Sequence, residues 1–408
     1  MSNSKKIPSG WKSTTLGAFM EFKNGINADK SAYGRGTEFV NVMDIFKSHF
    51  LKREDIQGKV QITEKQKAES SVMYGDLLFN RTSEVPNEIA YSSVYLDHEE
   101  ITFGGFVIRG RQQEDLLDPY FAGYCFNSGS IRREMIRRSQ GVVRANIGQK
   151  DLNKVPILIP SKPEQKKIAS SLALWDTAIE KTEALVAAKE KQFEWLAHTI
   201  IREECPHWKH YLAKELFDSV SSKGHPDEEL LSVTQDRGVI PRTMLKGRVM
   251  SPAGSRAGYK LVEKGNFVIS LRSFQGGLEY SAYRGIVSPA YTILSPKKEI
   301  HADFYRHFFK SYIFVEKYLS VAVIGIRDGK QISSTDFDTV KIPYPDMDEQ
   351  IEIASNLDSA RQEIDLLKNV LEKYRIQKRG LMQKLLTGEW QVSRTLETIE
   401  ELREERIA

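Results

Sequence analysis

Cys125 and Cys205 are the only thiols in 408 residues, which excludes a disulfide framework and a four-thiolate zinc site and suits a reducing compartment. Long apolar runs are missing too: none approaches the roughly 18 residues of a membrane span. The polar stretch Met1 to Gly10 lacks the apolar segment of a secretory signal, so the expected location is the cytoplasm. An excess of one charge sign is missing too. Lys and Arg number 59 against 55 acids, and a net charge of +4 makes no case for nucleic acid by itself. Any such case must come from where the charges sit.

The familiar catalytic signatures are absent as well. There is no Asn-Pro-Pro-aromatic or Asp-Pro-Pro-aromatic segment to hold a target amine, no G-x-G-x-x-G opening a helix and no G-x-x-x-x-G-K-[ST] loop for a nucleotide phosphate. Pro226-Asp227 and Pro345-Asp346 could begin a metal-nuclease constellation, but no Glu-x-Lys on a strand follows either one. His198, Cys205, His207 and His210 crowd one short region, yet their spacing fits no common zinc pattern and the corresponding later region has no histidine. No catalytic, cofactor-binding or metal site is therefore assigned to this chain.

What the chain does contain is a repeat. Pro160, Glu164, Gln165, Ile168, Ala169, Ser170 and Leu172 recur 185 positions later as Pro345, Glu349, Gln350, Ile353, Ala354, Ser355 and Leu357, seven identities in thirteen ungapped positions. Ile147, Asp151 and Val155 match Ile332, Asp336 and Val340 at the same offset. Upstream the match weakens but keeps its order. Trp11-Lys12 resembles Trp208-Lys209, Gly75 to Arg81 resembles Gly265 to Arg272, and Asp118 and Tyr120 resemble Asp303 and Tyr305. The chain is a duplication in which each half kept one part and diverged in the other.

The conserved part is helical. From Glu164 to Ile201 there is neither Pro nor Gly, and a seam with alternating spacings of four and three carries Ile168, Leu172, Trp175, Ile179, Thr182, Val186, Lys189, Phe193, Leu196 and Ile200. The second copy carries Ile353, Leu357, Ala360, Ile364, Leu367, Leu371, Tyr374, Lys378, Leu381 and Leu385. Two such strips in one chain most simply bury each other as an antiparallel coiled-coil pair. The first helix is expected to begin after Pro163 and end near Cys205-Pro206. The second is expected to begin after Pro345 and stop at Gly388. The pair then acts as a spacer, with pseudo-twofold symmetry and the divergent lobes at opposite ends.

The lobes show short apolar runs broken by Gly, Pro, Asn and Asp: Phe39 to Val42, Leu77 to Phe79, Phe106 to Ile108, Phe267 to Ser270 and Tyr291 to Leu294. Together with helices near Pro119 to Arg138 and Asp303 to Leu319, they make each lobe a mixed α+β domain. The expected division is 1–160 for the first lobe, 161–204 for its helix, 205–345 for the second lobe, 346–390 for its helix and 391–408 for a charged tail.

Positive charge gathers at equivalent places in both lobes. Arg132, Arg133, Arg137 and Arg138 precede a Gly-bearing loop that carries Arg144 and Asn146, and Arg327, Lys330 and Gln331 stand in the corresponding place of the second lobe. Arg81 and Arg272 each follow a predicted strand. Arg and Lys suit guanine O6 and N7 while Asn and Gln suit adenine, so these loops carry chemistry for reading base edges. The four helical arginines are better suited to phosphates.

The duplicated P-x-x-x-E-Q-x-x-I opening, the Leu385-Leu386-Thr387-Gly388 ending and the Gly-Asp-Leu-Leu-Phe-like strands in divergent lobes resemble the specificity subunit of Type I restriction-modification enzymes, over about residues 8 to 391. The resemblance implies two target-recognition domains that each read half of a split, asymmetric site in double-stranded DNA, with the helices fixing the gap. It also implies a complex with two modification subunits that bring S-adenosylmethionine and methylate adenine. Restriction subunits would bring ATP- and Mg²⁺-dependent translocation and cleavage. Two other classes compete with this reading: a stand-alone restriction nuclease with an unrecognised site, and a coiled-coil scaffold with no nucleic-acid role.

Overall fold

The computed structural model describes residues 7–141, 144–201, 207–245, 255–270, 277–319, 323–324, 331–332 and 334–392. Both conserved segments are single helices of 39 residues, Lys162–Ile200 and Met347–Leu385, and their ends keep the 185-residue offset of the repeat. At 1.5 Å per residue each is about 58 Å long. Pro163 lies inside the first turn rather than ahead of it, where its missing N–H costs nothing. The Ser161 hydroxyl accepts from the Glu164 N–H at 3.4 Å and the Asp346 carboxylate accepts from the Glu349 N–H at 2.9 Å, so each helix has an N-cap. Gly388 closes the second helix with φ +68° and packs where a Cβ would lie 2.3 Å from the Pro8 ring, so this position takes only glycine.

The chain folds as two units. One comprises Met1–Lys181 with Leu371–Ala408, the other Thr182–Val370. The divisions fall inside the long helices, not at 160 and 345, because each lobe packs on the stretches of both helices next to it. In the first unit Leu381 and Leu385 join the core that contains Ile168 and Leu172, and the Trp175 and Tyr374 rings meet edge to face with centroids 5.6 Å apart. In the second, Ile353 and Leu357 share a core with Phe193, Leu196 and Ile200; Lys189 pairs with Glu363 at 2.9 Å and Lys368 with Glu190 at 2.7 Å. Within each unit rising numbers on one helix meet falling numbers on the other, so the pairing is antiparallel. All twenty seam positions, including Ile179, Ile364 and Leu371, are buried or half-buried. The two lysines of the seam are neutralised there, Lys189 by Glu363 and Lys378 by Asp176.

The lobes repeat one sheet. In the first, Met20–Asn24, Val107–Gln112, Leu77–Asn80 and Ser92–Tyr95 lie side by side, antiparallel, with Phe50–Leu51 added in parallel at the edge. The second has Phe217–Val220, Tyr291–Pro296, Phe267–Ser270 and Glu279–Tyr280 in the same order. Each lobe also closes its ends with a two-stranded antiparallel ribbon leading into the long helix, Lys12–Thr15 with Pro156–Ile159 and Lys209–Leu212 with Lys341–Tyr344. The first lobe adds a four-stranded sheet, ordered Lys59–Val60, Tyr33–Val40, Ile101–Phe103 and Ser71–Val72.

Local chemistry corrects several boundaries. The strand expected over Phe39 to Val42 ends at Val40, because the Asn41 side chain caps a helix, Val42–Lys47, by accepting from the Met43 N–H at 3.1 Å. The helix expected from Pro119 to Arg138 is two, Pro119–Phe126 and Gly129–Arg138, broken at Asn127-Ser128. Phe106 stands in a turn ahead of the strand Val107–Gln112.

A latch repeated in both units and a candidate DNA interface in the first

The Glu-Gln pair of the repeated motif has the same task twice. Gln165 is fully buried; its amide donates to the Pro160 carbonyl at 2.9 Å and its oxygen accepts from the Asp118 N–H at 2.7 Å. Gln350, equally buried, donates to Pro345 at 2.9 Å and accepts from the His301 N–H at 2.8 Å. The preceding glutamates accept from indoles, Glu164 from Trp11 at 3.2 Å and Glu349 from Trp208 at 2.8 Å. Each helix start therefore holds the opening strand of its lobe and the N-cap of a lobe helix, Pro119–Phe126 or Ala302–Phe308. The two caps make Asp118 the counterpart of His301, two residues from the match with Asp303 read in the sequence.

A second tie differs between the units. The Tyr124 hydroxyl donates to Asp176 at 2.6 Å while Lys378 pairs with the same aspartate; burial first and the aspartate second raise the Tyr124 pKa. In the other unit His307 Nε2 meets Asp358 at 2.6 Å, with Arg306 on the same carboxylate. Burial lowers the His307 pKa against the opposing pull of Asp358.

Three of the residues expected at DNA come together in the first unit. Arg81, Arg144 and Asn146 line one depression of about 270 Å³ with Asn27, Thr82, Gly105 and Phe106. A short antiparallel ribbon builds it, Thr82–Ser83 against Ala145–Asn146, so residues more than sixty positions apart become neighbours. Thr82 Oγ1 donates to Asn146 Oδ1 at 3.0 Å and Asn146 Nδ2 donates to the Arg144 carbonyl at 3.0 Å, which fixes the asparagine amide. The Arg81 backbone N–H donates to the Phe106 carbonyl at 2.9 Å and its guanidinium to Gly105 at 3.3 Å. Among the described residues most of its five guanidinium N–H donors remain for other acceptors. A Cβ on Gly105 would lie 2.0 Å from Asn27 Oδ1, so any larger residue there would have to displace the Asn27 side chain.

The helical arginines divide. Arg132 is only 7% exposed; it donates to the Ile89 and Asn87 carbonyls and lies 4.3 Å from the Tyr91 ring centre. Its expected phosphate role is corrected: burial and two carbonyls commit it to the fold. Arg137 and Arg138 both pair with Glu134, and Arg133 is exposed. In the second unit Arg272, Arg327 and Lys330 lie outside the described residues. Gln331 is described by its backbone alone, which pairs with Ile324. A larger cleft of about 1560 Å³ in that unit is walled by ion pairs such as Glu190–Lys368 and Arg306–Asp358 and also carries Arg237, Arg361, Gln362 and Asn369.

Cys125 is buried and its thiol is pushed up to about 12 by burial. Of the crowded histidines, His207 meets Glu349, His198 lies beside Tyr312 and His210 stacks on Tyr318, while Cys205 lies outside the described residues. The sequence reading placed Thr82 only as a neighbour of Arg81 and missed Asn27 and Phe106. The only available signal was Gly104-Gly105 directly before an aromatic residue, a tight turn with a ring at its tip.

A duplicated α+β chain whose two long helices pair antiparallel is the architecture that the resemblance read in the sequence implies. The family model for the Type I restriction modification DNA specificity domain matches residues 8–187 and 208–373, and the chain belongs to that family. It is similar to the type I restriction enzyme MjaX specificity subunit of Methanocaldococcus jannaschii, 22% identical over 425 aligned positions that cover 95% of each chain. Solved structures with a similar fold include the HsdS subunit of Thermoanaerobacter tengcongensis, at 16% identity and TM-score 0.56, covering 95% of this chain and 99% of that one. The S subunit of M. genitalium matches at 17% identity and TM-score 0.51, covering 95% and 98%. The chain is thus the sequence-specific DNA-recognition subunit of a Type I restriction-modification system, and nothing among these relatives supports a stand-alone nuclease. Among the described residues no helix is long and apolar enough to cross a membrane.

Proposed function

We propose that the first lobe reads one half of a split duplex site through the depression around Arg81, Arg144 and Asn146, and that the second reads a different half through the region of Arg272, Arg327, Lys330 and Gln331. The observation that carries this reading is the convergence of two arginines and an asparagine from separate segments onto one surface of the diverged lobe. Guanidinium groups match guanine O6 and N7 in the major groove, and an asparagine amide matches adenine N6 and N7. Arg133 contributes phosphate attraction, which positions the lobe without reading sequence.

Division of labour completes the proposal. Two modification subunits bind S-adenosylmethionine and methylate an adenine in each half-site. Restriction subunits supply ATP- and Mg²⁺-dependent translocation and cleavage, all in the cytoplasm. This chain contributes position alone: the paired helices hold two readers at a set separation, so the gap between half-sites is a geometric quantity. The test is a binding series on the purified complex with modification subunits. Arg144→Ala should weaken specific binding about tenfold or more and relax preference in one half-site only. Unchanged binding and preference would refute the assignment.

A further inference from the structure

Phe106 sits in a two-residue turn between Gly104 and Val107 with 61% of its surface exposed. A phenylalanine loses roughly 2 kcal/mol of burial by standing in water, so its place at a turn tip is not explained by packing. Other exposed rings of this lobe are covered by neighbours: Tyr33 meets Phe39 with centroids 5.4 Å apart, and Phe46 meets Tyr91 at 5.4 Å. Among the described residues no ring stacks on Phe106. Its backbone is nonetheless held firmly, since the Arg81 N–H donates to its carbonyl and the Arg81 guanidinium to the carbonyl before it. The ring is an apolar group in a depression lined otherwise by Arg81, Arg144, Asn27, Asn146, Thr82 and Gly105.

We propose that Phe106 is a specificity-determining residue that contacts the 5-methyl group of a thymine in the major groove of the first half-site. The inference rests on the proposed DNA-reading role of the depression. Thymine is the one base whose major-groove edge carries an apolar group, and an aromatic side chain is a recognised partner for it. That methyl lies on the same groove edge as the adenine N6 and N7 atoms that an asparagine amide reads. One surface can therefore address both bases of an A·T pair, or a thymine beside a guanine held by arginine. The two-residue turn is also narrow enough to enter a groove about 12 Å wide.

The test uses the full chain assembled with its modification subunits and duplexes carrying its mapped site. Each thymine of the first half-site is replaced singly by deoxyuridine, which removes only the methyl group. Binding by the unaltered complex should fall about three- to tenfold at one position. Phe106→Ala should lose the same factor on the thymine duplex and become indifferent to deoxyuridine there, with an unchanged melting temperature. Phe106→Leu should keep part of the preference. Loss of binding in Phe106→Ala without any deoxyuridine effect would overturn the proposal in favour of a wedge between base steps. If Phe106→Ala binds normally while Arg144→Ala does not, Phe106 is misassigned and the depression still reads DNA. If neither variant matters, the depression itself is misassigned.

Discussion

The two units share a scaffold and differ in the groups that face outward from it. The latch keeps the same core of bonds, a buried glutamine on a proline carbonyl and a cap N–H and a glutamate under an indole, while Gln165 also donates to the Leu116 carbonyl and Glu349 also meets His207. The central four strands keep one order. Yet the tie from lobe to helix is a tyrosine on Asp176 in one unit and a histidine with an arginine on Asp358 in the other. The contrast teaches that identity survived where a buried polar group has a single solution, and was lost where the lobe meets the flank of the long helix: at the 185-residue offset Asp176 corresponds to Arg361 and Asp358 to Ala173. The segment proposed to read bases, Arg144 to Asn146, shares no identity with Gly329 to Gln331 at the same offset.

That comparison can be broken in several ways. The largest effect is expected from the seam: Leu172→Asp and Leu357→Asp each put a carboxylate at a fully buried position and should cost more than about 4 kcal/mol. Thermal melting and co-purification with modification subunits check this, and a normally assembled variant would misplace the seam. Next, Gln165→Ala and Gln350→Ala should each destabilise the chain by about 2 kcal/mol, since each takes the partner from a proline carbonyl and a cap N–H, with the Leu116 carbonyl also released by Gln165→Ala. Urea midpoints for the pair should agree; a large difference would end the equivalence of the latches.

Arg132 and Arg144 sharpen the contrast between framework and reader. Arg132→Ala should lower stability by about 1–3 kcal/mol by orphaning the Ile89 and Asn87 carbonyls, and leave base preference intact. Arg144→Ala should behave in the opposite sense in melting and binding assays.

The smallest effect concerns pH. His307 and His49 both have folded pKa values lowered from 6.5, chiefly by burial; Lys378 adds to the shift of His49, whereas Asp358 and Asp176 oppose it. The unfolded chain therefore takes up these protons more readily. The stability each neutral ring provides is complete above about pH 6.5 and declines as pH falls through the lowered folded value, by at most about 1.4 kcal/mol per pH unit for each histidine. Replacing either by glutamine should flatten the acid limb of a urea-midpoint profile between pH 7 and 5.

The helices were legible because a seam such as Ile168, Leu172 and Trp175 repeats with the helical period, and because the same period returns 185 residues later. Arg81, Arg144 and Asn146 were legible by chemistry alone; their meeting required the ribbon at Thr82–Ser83, which leaves no periodic trace. Arg132 misled because a run of arginines on a helix reads as a solvated face, while its position beside buried Ile131 and Met135 turns it inward. The purpose of Glu164-Gln165 was hidden for a different reason. Its partners, Trp11 and Asp118, lie 153 and 47 residues away, and only the folded chain brings them near. Phe106 was absorbed into the apolar run that follows it.

The most direct test of two independent readers on one repeated frame is to replace residues 11–160 with the first lobe of another specificity subunit. The chimera and the original are each co-expressed with modification subunits in a methylation-free host, and modified adenines are mapped by single-molecule sequencing. The account predicts a split motif in both, with the same gap and the same second half, and with only the first half changed. Changes in both halves, or no modification by an intact purified complex of the original chain, would contradict it.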